Sequence, residues 1–267
     1  KGKCYWVKVY DIPEGGRAAK GRAIVNLIGC EPDEKVSAFI GVKQDQFHDD
    51  HFVVMATEKG IVKKTKLSAY SNPRKKGIYA VEIREGDSLI EARVSNGEND
   101  ILLGTTNGKS IRFSEEQIRP SGRKTMGVKG ITLSSKDDKV VGMLLIKREG
   151  TVLVATENGF GKRTEIIQYR AQKRGGKGVL TMKTTDKIGK MITIKEVVGT
   201  DDLMIIRDDG VLIRMPVSQI RSIGRATQGV KLIKLAEGTK VSAITRIISE
   251  EEKTADEPEN NPEPQDA

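Results

Sequence analysis

Cysteine is scarce in this 267-residue chain. There are two, Cys4 and Cys30, and they lack CxxC spacing. That speaks against a disulfide framework or a zinc site, and it fits a reducing cytoplasm. The expected reading is two small apolar side chains packed in the interior. Aromatic residues make up 4% of the chain and Trp6 is the single tryptophan, so no tryptophan recurs from one segment to the next. No apolar run approaches the ~20 residues that a membrane-spanning helix needs. The opening segment "KGKCYWVKVY" is basic but has no apolar stretch or cleavage pattern of a secretory signal. It starts without methionine and reads as part of a longer chain. The two histidines fall in "HDDH" (48–51), before an apolar run and without zinc-like spacing, so no metal is expected there. Lys162 in "GFGKRT" lacks the glycine spacing of a phosphate-binding P-loop. The paired acids Asp137–Asp138, Asp201–Asp202 and Asp208–Asp209 sit at turns and read as solvated. No catalytic constellation emerges.

Charge, by contrast, is plentiful and uneven. The net balance is +9, from 46 Lys and Arg against 37 Asp and Glu. Residues 249–267, "SEEEKTADEPENNPEPQDA", hold eight of the acids and one base, which leaves 45 bases against 29 acids, or +16, in residues 1–248. A body this basic points to a polyanionic partner, although charge alone does not separate nucleic-acid binding from simple solubility. The tail is acidic, proline-rich and nearly free of large apolar residues. It is expected to be disordered and to compete for the basic surface.

Glycine, at 28 residues, marks a repeat. The segments "FVVMATEKGIVKKT" (52–65), "DILLGTTNGKSIRF" (100–113), "TVLVATENGFGKRT" (151–164) and "DLMIIRDDGVLIRM" (202–215) each read strand, turn, glycine, strand. Gly60, Gly108, Gly159 and Gly210 are spaced by 48, 51 and 51 residues, and Gly2 fits an earlier copy. Asn-Gly and Asp-Gly between β-branched runs signal β-hairpins with type I′ turns. An arginine follows each glycine by 14 or 15 residues: Arg17, Arg74, Arg123, Arg174 and Arg225. Gly21, Gly77, Gly127, Gly178 and Gly229 come next. Each opens a third strand ("AIVNL", "IYAVEI", "VKGITL", "VLTMK", "VKLIKL"), and a fourth follows ("KVSAFIGV", "SLIEARV", "KVVGMLLI", "KMITIKEVV", "KVSAITRII").

Four strands in about fifty residues describe a propeller blade. The predicted fold is all-β and propeller-like, over residues 1–248. The repeats fall at about 1–50, 51–98, 99–149, 150–200 and 201–248, with the first incomplete. A sandwich or a pair of barrels would not keep so regular a period.

The arginine-glycine corners carry the functional reading. The richest is "QKRGGKG": Gln172, Lys173, Arg174, Gly175, Gly176, Lys177 and Gly178. Its counterparts contain Arg17, Lys20 and Arg22; Arg74, Lys75 and Lys76; Arg123 and Lys124; and Arg225. Glycine-rich turns let backbone N–H groups approach phosphates, and neighbouring Lys and Arg add charge-assisted contacts. One such loop reads most simply as a turn. Five at matching positions around a closed fold would form a basic ring suited to DNA phosphates.

"QKRGGKG", together with "YWVKVYDIP" (5–13), "AKGRAIVNL" (19–27), "NDILLGTTNGKSIRF" (99–113), "ENGFGKRT" (157–164) and "GRATQGVKLIKL" (224–235), resembles the C-terminal domains of gyrase A subunits. The resemblance spans essentially all of 1–248. It implies a β-pinwheel of about six blades that exchange strands with their neighbours. It also implies a basic rim that wraps double-stranded DNA without base specificity, within a bacterial, cytoplasmic, nucleoid-associated type IIA topoisomerase that introduces negative supercoils. The gyrase B subunit would complete a heterotetramer, with ATP and Mg²⁺ used outside this chain and no cofactor bound within it. The family's signature box lies in the first blade, which is expected upstream, so "QKRGGKG" would be a copy in the fifth. None of Tyr5, Tyr10, Tyr70, Tyr79 and Tyr169 lies in the Arg-Tyr context of that family's DNA-cleaving tyrosine. The topoisomerase IV counterpart and a protein-interaction propeller remain the alternatives.

Overall fold

A computed structural model of the chain describes residues 2–16, 19–31, 34–48, 50–72, 74 and 76–247. Arg17, Lys75 and the acidic tail therefore lie outside the described residues. Within them there are seventeen strands, short 3-10 turns and no α-helix. In chain order the strands are β1 (Lys3–Cys4), β2 (Phe52–Thr57), β3 (Ile61–Lys66), β4 (Ile78–Tyr79), β5 (Leu89–Ser95) and β6 (Asp100–Thr105). Next come β7 (Lys109–Ser114), β8 (Val128–Lys129), β9 (Val140–Ile146), β10 (Thr151–Thr156), β11 (Phe160–Glu165) and β12 (Val179–Leu180). The last five are β13 (Met191–Val197), β14 (Asp202–Arg207), β15 (Leu212–Pro216), β16 (Val230–Lys231) and β17 (Val241–Ile247).

The glycine-marked hairpins are β2–β3, β6–β7, β10–β11 and β14–β15. Their turns differ from the expected type I′. Among the described residues φ is positive only at glycines, so Asn107 and Asn158 are not left-handed. The Gly108 amide donates to the Thr105 carbonyl at 3.0 Å, and Gly159 to Thr156 at 3.1 Å. This is a three-residue loop, a type I turn closed by one left-handed glycine.

The short strand after each corner does not join its own hairpin. β8 pairs with β3, β12 with β7 and β16 with β11, each in the preceding repeat, and β4 pairs with β1. Three sheets thus have four strands, ordered β5-β2-β3-β8, β9-β6-β7-β12 and β13-β10-β11-β16. A fourth, β17-β14-β15, has three, and β1 with β4 makes a two-stranded sheet. This is the strand exchange of a pinwheel.

Two expected strands of the first repeat are not formed. "AIVNL" (23–27) contains a 3-10 turn at Ile24–Asn26, and 35–42 contains no strand. Elsewhere the third strand adds to a preceding hairpin and the fourth pairs with its own first hairpin strand. Among the described residues neither partner stands beside these two segments. Val9, Tyr10 and Phe39 in this repeat stay 76–83% exposed.

The sheets pack face to face, so the central strands β2, β6 and β10 bury both faces, while β14 in the last sheet buries one. Ile101 and Leu103 join Val54, Val62, Met143 and Leu145 in one core layer. Leu102, between them in sequence, points the other way to meet Leu144, Val154 and Met191. Burial on both sides explains why these strands read as unbroken apolar runs rather than alternating ones. β5, β9, β13 and β17 contact one another in succession and form the inner ring. β8, β12 and β16 lie at the opposite edge of their sheets. The arginine-glycine corners that precede them are thereby set on the outer rim.

The hairpin glycines meet different surroundings, which gives a graded test. A Cβ at Gly108 would collide with the Met182 carbonyl of the next repeat, whereas Gly210 faces open space. Both have left-handed backbone, φ +75° and +84°. Gly210→Ala is expected to lose about 1–2 kcal/mol from backbone strain alone, and Gly108→Ala about 3 kcal/mol or more because the contact between repeats must also open. Urea unfolding of the two variants measures the difference.

Candidate nucleic-acid interface

Each corner follows a 3-10 turn that ends the hairpin: Leu67–Tyr70, Glu115–Gln117, Ile166–Gln168 and Val217–Gln219. It then crosses onto the preceding repeat. In 172–178, the Gln172 amide donates to the Arg112 carbonyl at 2.8 Å and the Gly175 amide to the Gly130 carbonyl at 2.6 Å. Thr132 donates from its amide to the Gly176 carbonyl (2.8 Å) and from Oγ1 to the Gly175 carbonyl (2.6 Å). Gly178 has φ +69° and packs so closely on the Ser110 carbonyl that no side chain fits. The glycines of this corner therefore seat the loop on its neighbour.

The arginines are partly engaged in the same task. Arg174 donates through Nε to the Gln117 carbonyl (2.9 Å) and through Nη1 to the Lys129 carbonyl (3.1 Å). Its amide meets Gln117 Oε1 at 2.9 Å, and Gln117 Nε2 returns to the Gln172 carbonyl at 3.1 Å. Arg225 repeats the device one blade on. Its Nη1 donates to the Leu180 carbonyl at 2.8 Å, and its guanidinium stands 6.0 Å from the Tyr169 ring centre. Each arginine reaches back to the exchanged strand of the previous corner. Both stay partly exposed, so donors remain for an outside anion.

The lysines are the open charges. Lys76, Lys124, Lys173 and Lys177 are exposed, as is Arg74; Arg123 and Gln172 are half-buried. Lys20 and Arg22 are exposed too, in the segment without strands. The structure thus gathers Arg74, Lys76 and Gly77 and the corners at 121–127, 172–178 and 223–229 on sheet edges of one sense. It gives no comparable frame to Lys20 and Arg22.

Four cations at the corners were not among the contacts expected from the sequence, where Lys162 was weighed only as a P-loop lysine. Lys129 and Lys231 are exposed on the exchanged strands β8 and β16, at the outermost edge of their sheets. Each lies two residues past its corner glycine, and that spacing was the available signal. Lys63 and Lys162 are buried, at 1% and 0% exposure, beneath the corners at 121–127 and 223–229. Lys63 Nζ donates to the Ala80 carbonyl at 2.7 Å and to the Arg123 carbonyl. Lys162 Nζ donates to the carbonyls of Gly224 (2.7 Å), Arg225 and Thr227 (3.3 Å), and to Thr227 Oγ1 (3.1 Å). Burial, helped by the nearby Arg123 and Arg225 charges, pushes both ammonium groups down to about 8.

These roles separate in stability measurements. Arg174→Ala is expected to cost about 1–2 kcal/mol, since two charge-assisted bonds to carbonyls are lost at a partly exposed site. The double change Lys173→Ala/Lys177→Ala should stay within about 0.5 kcal/mol. Thermal unfolding of the two proteins checks this.

Comparison with known proteins agrees with this architecture. The family described as "DNA gyrase C-terminal domain, beta-propeller" matches residues 1–42, 51–96, 99–147, 150–197 and 201–247. The DNA gyrase A protein of Staphylococcus aureus (strain NCTC 8325 / PS 47) is 43% identical over 263 residues, covering 98% of this chain and 29% of that protein. The chain thus spans under a third of that relative. Among solved structures, a DNA gyrase A C-terminal domain aligns with TM-score 0.79 at 20% identity, covering 92% of this chain and 80% of that one. The C-terminal domain of a DNA topoisomerase IV aligns with TM-score 0.83 at 22% identity, covering 92% and 76%. Those two likenesses speak to the fold, while the 43% identity and the five matched repeats speak to descent: the chain belongs to the family of DNA gyrase C-terminal β-propeller domains.

Proposed function

We propose that residues 1–248 act as one unit that binds double-stranded DNA without base specificity and wraps it around the rim, as the C-terminal part of a bacterial gyrase A protein. The observation that carries this reading is the placement of the corners. Strand exchange sets basic, glycine-bearing turns at the outer edge of successive sheets, with exposed Lys124, Lys129, Lys173, Lys177 and Lys231 among them. Phosphates spaced along a bent duplex suit such a series, because backbone contacts position DNA without reading its sequence. Smooth bending costs several kcal/mol per ~25 base pairs, so several corners must act together.

In the whole protein this wrapping would feed a crossing segment to the strand-passage core, with negative supercoiling driven by ATP on the gyrase B protein. ATP and Mg²⁺ would act outside this chain. The acidic segment 249–267 would compete with DNA for the rim. A second reading, the corresponding topoisomerase IV domain, draws on the TM-score of 0.83. The 43% identity to a gyrase A protein favours the first.

The expected result is tight binding to a ~150-base-pair duplex that falls steeply with salt, with a log–log slope near −0.9 per phosphate neutralised. Lys173→Ala/Lys177→Ala should make that slope shallower by about 1 to 2 units, with similar loss on unrelated sequences. Ligating relaxed circles in the presence of the chain should shift the linking number with one sign. Binding that ignores salt, or circles that close unshifted, would count against wrapping and for a protein-interaction scaffold.

A further inference from the structure

The repeats are not equivalent; they alternate. Three residues past the hairpin glycine stand Lys63, Ile111, Lys162 and Ile213, and ten past it stand Tyr70, Ile118, Tyr169 and Ile220. "ATEKGIVKKT" (56–65) returns as "ATENGFGKRT" (155–164), identical at six of ten positions. "GRKTMGVKGITL" (122–133) returns as "GRATQGVKLIKL" (224–235), identical at eight of twelve. Contacts alternate as well. Glu58 pairs with Lys139 at 3.1 Å and Glu157 with Lys240 at 2.6 Å, in both cases from a lysine-bearing repeat to the next. Asp100 pairs with Arg112 and Asp202 with Arg214, both at 2.7 Å, within the isoleucine-bearing repeats.

The corners that cross onto these hairpins therefore rest on different floors. The corner at 172–178 lies over Ile111 and carries its charge openly on Lys173 and Lys177. The corner at 223–229 has a single base, Arg225, already tied to the Leu180 carbonyl, and beneath it lies the Lys162 ammonium. The corner at 121–127 lies likewise over Lys63.

Resting on the DNA-binding reading above, we infer that Lys63 and Lys162 are positioning residues for the phosphate contacts of the corners at 121–127 and 223–229. Buried as they are, they touch no DNA. Lys162 draws the carbonyls of Gly224, Arg225 and Thr227 inward. In a trans peptide the N–H points opposite to the C=O. The amides of Arg225, Ala226 and Gln228 are thus turned outward, where a phosphate oxygen accepts them. The lysine also places a positive charge under that phosphate in a poorly solvated site. Lys63 does the same to the Lys124 amide through the Arg123 carbonyl.

A proton-linked signature follows. Lys162 faces Arg225, whose guanidinium stands over the Tyr169 ring; Lys63 faces Arg123 and Glu82, and shares the Ala80 carbonyl with the Tyr70 hydroxyl, which in turn neighbours Cys4. With both ammonium groups lowered to about 8, each is largely neutral at pH 9 in the free chain. A phosphate overhead favours the charged form and raises it. DNA binding then takes up protons at pH 9, toward one per lysine, and far fewer at pH 7, where both are mostly charged in either state.

Calorimetry of the 267-residue chain with a ~150-base-pair duplex, in two buffers of different ionisation enthalpy, tests this. Wild type should take up clearly more protons at pH 9 than at pH 7. Lys63→Met/Lys162→Met should lose the uptake and bind about three- to tenfold more weakly per corner. Should the methionine variants fail to fold, Lys63→Gln and Lys162→Gln retain a donor for the carbonyls and are expected to bind with no uptake at either pH. Absence of uptake in wild type, or uptake and affinity unchanged in the variants, overturns the proposal. If wild type binds no DNA, the functional reading fails instead. Hydrogen exchange in Lys162→Met then decides the positioning role. Faster exchange at 223–229 with 172–178 unchanged upholds it, and equal exchange removes it.

Discussion

The transfer of one short strand per repeat is the constraint on which the molecule depends. β8, β12 and β16 contribute only two residues each to the sheets they complete. Their pairing closes the outer edge of a hairpin that would otherwise expose unpaired N–H and C=O groups. It also obliges the chain to cross from one blade to the previous one, and the crossing is the corner. A corner is therefore a structural joint first, which is why Arg174 and Arg225 reach back to carbonyls of the exchanged strands β8 and β12.

On the proposed DNA-binding reading, that joint shapes the energetics of the rim. A loop free to seek phosphates would lose entropy on binding. Here Gly175, Gly176 and Gly178 are held by Gly130, Thr132 and Ser110 of the neighbour, so much of that ordering is complete beforehand. Buried lysines extend the same logic inward. An ammonium at Lys162 would be costly alone, but carbonyls and a hydroxyl surround it. Its neighbours Arg163 and Thr164 bond to the same segment through the Ile220 and Ile223 carbonyls, at 2.7 and 2.8 Å.

Much of this was legible in the residues. The glycine period exposed the hairpins, and the arginine series exposed the corners. The first repeat was read too generously: 23–27 and 35–42 have strand-like composition, but strands form against partners, and the described residues offer none there. The type I′ turn failed for a local reason, since a three-residue loop needs one left-handed residue and glycine alone supplies it. The arginines looked like plain phosphate ligands because sequence carries no sign of which carbonyls lie within reach. The burial of Lys63 and Lys162 was not visible, because a lysine beside a second base in a strand, as in Lys63-Lys64 and Lys162-Arg163, reads as a solvated side chain.

By itself, the sequence determined that the chain is an array of hairpins, that it is all-β, and that arginine and glycine recur at a set distance from each turn. Those properties depend on local backbone preference and on periodicity, both of which act over a few residues. Only the tertiary structure decided which hairpin each third strand joins, which edge of the sheet faces out, and which lysines are buried beneath the corners. Those are contacts between residues sixty or more positions apart, such as Lys162 with Arg225. They are settled by the packing of one blade on the next, where both faces of a strand must be covered and every buried donor must find an acceptor.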